Sequence, residues 1–396
     1  MLKSPHPLDE LLGLEYFITD APGIGGRLRT LPEDFYVEEV YEEGPPDGEV
    51  EYTHFTMEKR DWEAHRAIKA IARALRVSPK RFGYAGTKDK RAVTRQRVAV
   101  WRIGPEELGR VRIRDISLSD FVPSSRRISL GDASGNRFRI VIRNLQIGRE
   151  ALLEVLEKDA GILRGGCPNY FGYQRFGVVR PNTHLVGREL LRGDLEGAVM
   201  TYLGRPFPGE REDAYNARKH LDETRDFKAA LAIYPRRLDY ERSMLEALAR
   251  NPGDYAGALR RLPKKLRWML LHAYQGYLFN RILSRLLEAG IDPHGISIPL
   301  FGYESAFSEG RQGDLERAVL EEEGAELGRF AIGSMPELSS KGGQREALVR
   351  VDMGYRFEED DLNPGMVRGG LEFYLPKGSY ATVALREIMK ADPLNY

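Results

Sequence analysis

Apolar and polar residues alternate one by one in several stretches of this chain, the period of a strand with one buried face. In residues 33–40, Phe35, Val37 and Glu39 fall on one side and Tyr36, Glu38 and Val40 on the other. Residues 51–59 read as a second strand and 98–103 as another. Residues 111–117 and 127–130 read as short strands. From 135 to 143, Phe138, Ile140 and Ile142 make one face, while Arg137, Arg139 and Arg143 project from the other. Leu371, Phe373 and Leu375 alternate again, followed by a turn at 376–379 and a helix beginning near Thr382.

Elsewhere the apolar spacing is helical. In residues 62–75, Trp62, His65, Ile68, Ile71, Ala72 and Leu75 fall on one face, which makes His65 a packed histidine; Ser78-Pro79 ends the helix. Residues 151–163 form an amphipathic helix. From 178 to 350 helical patterns dominate, at 185–191, 195–203, 227–233, 244–249 and 264–289. The last carries an apolar stripe of Leu266, Leu270, Tyr274, Tyr277, Leu278, Ile282 and Leu286, read as core. Residues 290–345, rich in Gly and Glu, show no legible pattern.

The 396 residues exceed what one compact core usually holds, so two domains are expected. Apolar residues at 42% and charged residues at 30% describe an ordinary globular protein. A single cysteine, Cys167, excludes an internal disulfide and suits a reducing compartment. No apolar run approaches the roughly 20 residues a membrane helix needs, and the N-terminus leads into no apolar signal core. A cytoplasmic protein without a membrane anchor is expected. The seven histidines show no metal-binding spacing, so no metal site is expected. Gly83 to Lys88 lacks the spacing of a nucleotide-binding loop, and Pro22 to Gly26 reads as a plain turn.

The net charge of +1 gives no global attraction to nucleic acid. Any such attraction must come from clustering. Between residues 80 and 102 stand Lys80, Arg81, Lys88, Lys90, Arg91, Arg95, Arg97 and Arg102, and the only acid among them is Asp89. Cations hold phosphates, and a nearby cation favours the ionised, nucleophilic form of a carboxylate. A solvated basic turn with one charge-balancing Asp has the same composition. The arginine side of the 135–143 strand suits either a polyanion or plain solvent. Lys264, Lys265 and Arg267 crowd a helix start, where positive charge is unfavourable, and so are candidates for RNA phosphates.

Five stretches resemble one family. Ala85-Gly86-Thr87-Lys88-Asp89-Lys90, followed by Ala92-Val93-Thr94 and Gln96, resembles the catalytic signature of the TruD family of tRNA pseudouridine synthases. Pro32-Glu33-Asp34-Phe35, Gly135-Asn136-Arg137-Phe138, the run from Asn169 to Gly177, and Leu375-Pro376-Lys377-Gly378-Ser379-Tyr380-Ala381-Thr382 resemble its other motifs. The resemblance implies Asp89 as nucleophile and Arg29 as the basic residue beside it, where lysine is frequent in the family. It implies Phe35, Asn136, Phe138 and Tyr380 around the target uracil, Tyr380 standing where phenylalanine is common. The aromatics Tyr170, Phe171 and Phe176 are read as architectural. Lys88, Lys90, Arg91, Arg95, Arg137 and Arg139 are the candidate RNA-binding cations.

The implied fold is α+β: a mixed, largely antiparallel sheet in a catalytic domain of residues 1–168 plus 351–396, with a mainly helical inserted domain of residues 169–350. The implied activity is isomerisation of uridine in tRNA, at position 13, by a monomer with no cofactor and no metal. A tRNA-binding or remodelling protein without catalysis uses the same basic and aromatic residues but gains nothing from Asp89. A nuclease would bring clustered acids for metal ions, and none stand near Asp89.

Overall fold

The computed structural model describes residues 1–44 and 48–396. The chain divides into two compact units, one of Thr19–Cys167 with Val349–Tyr396 and one of Met1–Ile18 with Pro168–Leu348. A catalytic domain of residues 1–168 plus 351–396 would put residues 1–18 in the first of these; the contacts group them with the second. In the structure Asn280 Nδ2 donates to the Leu12 carbonyl at 3.0 Å, Ser284 Oγ to that of Gly13 at 2.8 Å, and the Tyr16 hydroxyl to Glu288 at 2.7 Å. These residues form only a five-residue helix and two-residue strands, too short for a periodic signal.

The first unit is built on a sheet of eight strands among the described residues. In chain order they are β1 (Phe35–Val40), β2 (Tyr52–Arg60), β3 (Phe82–Tyr84), β4 (Val93–Trp101), β5 (Ile116–Ser124), β6 (Gly135–Leu145), β7 (Gly354–Glu359) and β8 (Val367–Pro376). Their spatial order is β7-β8-β6-β1-β4-β2-β5, with β3 paired to β4. Only the β1–β4 pair is parallel. The fold is α+β with a largely antiparallel sheet.

Register fixes the two faces. Phe35, Val37 and Glu39 lie opposite Ile140, Phe138 and Asn136, and Phe138 lies opposite Phe373. One face therefore carries Phe35, Val37, Glu39, Asn136, Phe138 and Phe373. The other carries Tyr36, Glu38, Arg137, Arg139, Glu372 and Tyr374. Helix α1 (Ala64–Ala74) buries Ala67, Ile68, Ile71 and Ala72 in a cluster with Phe55, Met57, Val98 and Val100. Its first turn is capped by Glu63, whose carboxylate accepts from the backbone N–H groups of His65 and Arg66. The buried stripe begins at Ala64, so His65 is exposed rather than packed.

Three further details differ from the alternation pattern. The strand expected at 111–117 begins only at Ile116, opposite Lys59. Residues 127–130 form no strand: the Arg127 guanidinium donates to the carbonyls of Lys80 and Phe82, and Ile128 packs with Ala85 and Ala99. Arg143 does not join Arg137 and Arg139. It is 4% exposed and bonds Asp34, Asp360 and Asp361, where the strand is irregular and Asn144 takes a positive φ of 59°.

The second unit is mainly helical. Thr183–Arg192, Leu195–Leu203 and Phe227–Ile233 stand where the apolar period places them. The long helix Lys264–Glu288 buries Leu270, Tyr274, Leu278, Ile282 and Leu286. Arg267 at its start is held by Glu337 at 2.6 Å, so it is an internal partner rather than a phosphate ligand. In the region without a legible pattern, Ser297–Leu300 pairs with Gly343–Glu346 and Gly310–Glu323 is a helix. Tyr170, Phe171 and Phe176 are buried, an architectural placement.

Candidate active site

The basic turn spans residues 85–92, between β3 and β4. Strand pairing on both sides of it supplies a rigid frame. Gln96 Nε2 donates to the Gly86 carbonyl at 3.2 Å, and the N–H of Asp61 to the Ala92 carbonyl at 3.1 Å. Beneath the turn, Lys59 Nζ donates to the Asp89 carbonyl at 2.8 Å. These bonds hold the peptide of Asp89 from the sheet side. Its carboxylate faces outward, with the side chain 43% exposed, and so is open to a substrate.

One carboxylate oxygen, Oδ2, accepts from Arg29 Nη2 at 2.7 Å. Arg29 arrives from the segment before β1 with φ at +56°. Its guanidinium lies 4.1 Å over the Phe35 ring. Phe35 meets Phe138 edge-on with centroids 6.4 Å apart, and Phe138 stacks on Phe373 at 5.3 Å. Phe35 is 1% exposed, so one ring face supports Arg29 and the remainder packs.

Asn136 is the Cα partner of Glu39 and of Leu375 on the Phe138 side of the sheet. Its Oδ1 is buried and has no hydrogen-bond partner among the described residues. A buried amide acceptor left open on this face of the sheet is suited to a ligand donor. Glu39 itself is buried and is paired with Lys88; its carboxylate also accepts from the Arg97 N–H at 3.2 Å. A chain of contacts thus runs from the turn through Lys88 and Glu39 to the strand beside Asn136. Tyr380 is half-buried at the N-cap of helix α2 (Ala381–Met389), four residues beyond the end of β8.

The candidate RNA-binding cations separate into groups. Lys90 and Arg91 are exposed on the turn itself. Lys88 is engaged by buried Glu39 and is not available to phosphates. Arg95 bonds Asp120 at 2.7 Å and lies near Glu38 at 3.8 Å, on the opposite side of the sheet from Asn136. Arg137 and Arg139 share that opposite side, where Arg139 lies 4.0 Å over Tyr36 and an open groove is lined by Tyr36, Glu38, Arg137, Arg139, Glu372 and Tyr374. The structure therefore brings Asp89, Arg29 and Phe35 together and continues through Phe138 and Glu39 to Asn136. It does not bring Arg95, Arg137 or Arg139 to the same face.

Two residues in contact with the turn carry no signal of it in the sequence. Lys59 stands at the end of a strand, and only its parity with buried Phe55 and Met57 points inward. Glu39 shares a face with Phe35 and Val37, but nothing in the sequence names Lys88 as its partner. Among the described residues, no group of three or more His, Cys, Asp or Glu side chains is placed to hold a metal ion. No helix among them is long and apolar enough to cross a membrane.

Comparison with known proteins points the same way as the geometry. Residues 11–295 and 293–388 match the family model described as tRNA pseudouridine synthase D (TruD). The chain is 40% identical to the probable tRNA pseudouridine synthase D of Methanosarcina barkeri, with 98% of each chain covered. It is 45% identical to that of Methanopyrus kandleri, with 86% of each covered. The crystal structure of the putative tRNA pseudouridine synthase D from Methanosarcina mazei superposes with a TM-score of 0.83 at 39% identity, covering 99% of this chain and all of that one. An exposed carboxylate held by an arginine in the turn that bears the signature, within a match that spans almost the whole chain, places this protein in the tRNA pseudouridine synthase D family.

Proposed function

We propose that this chain isomerises uridine to pseudouridine in tRNA, at position 13, with Asp89 as nucleophile acting on a uridine flipped into the site. The reaction breaks the N1–C1′ bond, turns the uracil and joins C5 to C1′; C5 gives up its hydrogen as a proton and N1 takes one up, so the product is an isomer of the substrate. Nothing is oxidised and no group is lost, so side chains alone suffice for it. Asp89 acts at C1′ as glycosidase carboxylates do. Arg29 orients it. Asn136 accepts from the uracil edge, and Phe138 and Tyr380 wall the base, with Phe35 beneath Arg29. Lys90 and Arg91 hold flanking phosphates. Flipping costs a few kcal/mol, which stacking on aromatic side chains offsets. The residues 19–167 and 349–396 form the catalytic domain, and the enzyme works as a cytoplasmic monomer.

The single observation that carries this reading is the Arg29–Asp89 pair: an exposed carboxylate with one oxygen oriented at 2.7 Å and the other without a protein partner among the described residues. The test is tritium release from tRNA transcribed with 5-tritiated uridine, because bonding at C5 expels that hydrogen. Wild type should release it and Asp89→Asn should not, with tRNA binding kept. Tight binding by both without release would instead indicate a binding protein. A tRNA in which the uridine at position 13 is replaced by cytidine should release none of the counts attributable to this enzyme.

A further inference from the structure

Lys59 is fully buried, at 0% exposure, on the side of β2 that carries Phe55 and Met57, and it lies across from Thr94 in β4. Its Nζ makes one hydrogen bond, to the backbone carbonyl of Asp89 at 2.8 Å. Among the described residues no carboxylate lies within ion-pair distance of it. The charged groups that act on it are Asp89, Glu63 and Asp61, which favour its ammonium form, and Lys88, which opposes it. An ammonium without a direct counter-ion is costly to bury, and a methionine would fill similar volume without that cost. What the ammonium adds is a donor and a positive charge, and both bear on residue 89.

We propose that Lys59 is a positioning residue of the reaction: from inside the sheet its ammonium clamps the peptide of Asp89 so that the carboxylate meets Arg29 and the substrate. The inference rests on Asp89 being the nucleophile. Lys59 is wholly enclosed, so it acts through Asp89 and does not touch the substrate. The side chain is held by the strand register, so displacing it displaces the turn, and a shift of about 1 Å at a reacting group costs roughly 10²-fold in rate.

The clamp has a pH signature. Burial pulls the Lys59 ammonium down to about 8, against the attraction of Asp89, Glu63 and Asp61. The charged form dominates below that value and is lost as pH rises through it. The free enzyme's groups govern kcat/KM, so kcat/KM falls above about pH 8. Bound tRNA adds negative charge and favours the ammonium, so the corresponding limb in kcat lies at higher pH.

The experiment is tritium release from 5-tritiated tRNA as a function of pH, for wild type, Lys59→Met and Lys59→Gln, with tRNA affinity and circular dichroism measured alongside. The expected result is that Lys59→Met binds tRNA within about threefold of wild type, turns over roughly 10²-fold more slowly, and lacks the alkaline limb of wild type. Lys59→Gln, a neutral donor, should lose the limb as well. A Lys59→Met enzyme within about threefold of wild-type turnover overturns the proposal. So does a Lys59→Gln enzyme that keeps the wild-type rate and pH profile, which decides the matter where Lys59→Met does not fold. Release by wild type that is indifferent to Lys59 removes only this role, whereas no release by wild type at any pH removes the isomerase reading and this role together.

Discussion

Arg29 donates to Asp89 at 2.7 Å from a backbone in the left-handed region, with φ at +56°. For a residue with a side chain that conformation costs about 1–2 kcal/mol. The same guanidinium lies over Phe35, so backbone, ring and acid together specify one side-chain position. A lysine can still donate to Asp89 but has no planar group for the ring. Arg29→Lys should therefore keep turnover within about tenfold, and Arg29→Ala should lower it by roughly 10²–10³-fold with little change in tRNA affinity. Single-turnover tritium release measures both. An Arg29→Ala enzyme with near-wild-type rate would show that the pair is only a surface ion pair.

Arg143 joins three aspartates, of which Asp34 and Asp360 are buried. Asp34 also accepts from the Leu31 N–H at 2.8 Å, which fixes the segment between Arg29 and Phe35. Arg143→Met would leave two buried carboxylates without their cation and should cost about 3–5 kcal/mol of stability, read from denaturant unfolding. The cluster also responds to acid. Burial raises Asp360, but hydrogen bonds from the Asn144 N–H, Asn363, the Leu362 N–H and Arg143 outweigh it and bring the group down to about 2. A lowered folded-state value gives stability that is present above the ordinary carboxylate range and lost as pH falls towards about 2. Thermal unfolding followed between pH of about 5 and 2 should show a shallower decline for Asp360→Asn than for wild type, the difference being on the order of 2 kcal/mol. Parallel curves would place the acid sensitivity elsewhere.

Much of this frame can be read from the chain because it depends on period and parity. The alternation at 35–40 and 135–142 gives both faces of the sheet, and the long helix at 264–288 declares itself by its stripe. Asp89 stands out as one acid among eight cations. What resists reading is set by contacts far apart in sequence. Arg143 looks like Arg137 and Arg139 until Asp34, Asp360 and Asp361 fold against it. Lys88 looks like its neighbours Lys90 and Arg91 until strand register places Glu39 beside it. His65 misleads for a smaller reason: a helix turns by 100° per residue, so a side chain one residue past the buried Ala64 already stands at the edge of the stripe.

The sorting of the cations is testable through salt. Each phosphate contact contributes a slope of about −0.9 to the dependence of log affinity on log salt for duplex nucleic acid. Lys90→Ala and Arg91→Ala, on the exposed turn, should weaken tRNA binding and reduce that slope by about 1 each. If tRNA lies only on the Asp89 side, Arg137→Ala and Arg139→Ala should leave it unchanged. Lys88→Ala should act differently again, lowering the unfolding temperature because it leaves Glu39 buried without its cation. A slope change for Arg139→Ala equal to that for Lys90→Ala would put the polyanion on both faces of the sheet.

Asn136 separates function from stability most cleanly. Its Oδ1 is buried without a partner among the described residues, an arrangement that costs about 1–3 kcal/mol relative to a satisfied group. Replacing it with leucine, which has similar size and nothing to satisfy, removes no hydrogen bond from that oxygen and should leave the unfolding temperature equal or higher. If Asn136 accepts from the uracil edge, the same change deletes a contact to the reacting base and should lower kcat/KM by roughly 10²-fold. A residue kept only for packing would show neither effect, and one kept for stability would show the opposite sign in the melt. Loss of turnover in a protein that is as stable as wild type or more so is therefore the expected outcome. A destabilised Asn136→Leu with normal turnover would assign the amide to the fold.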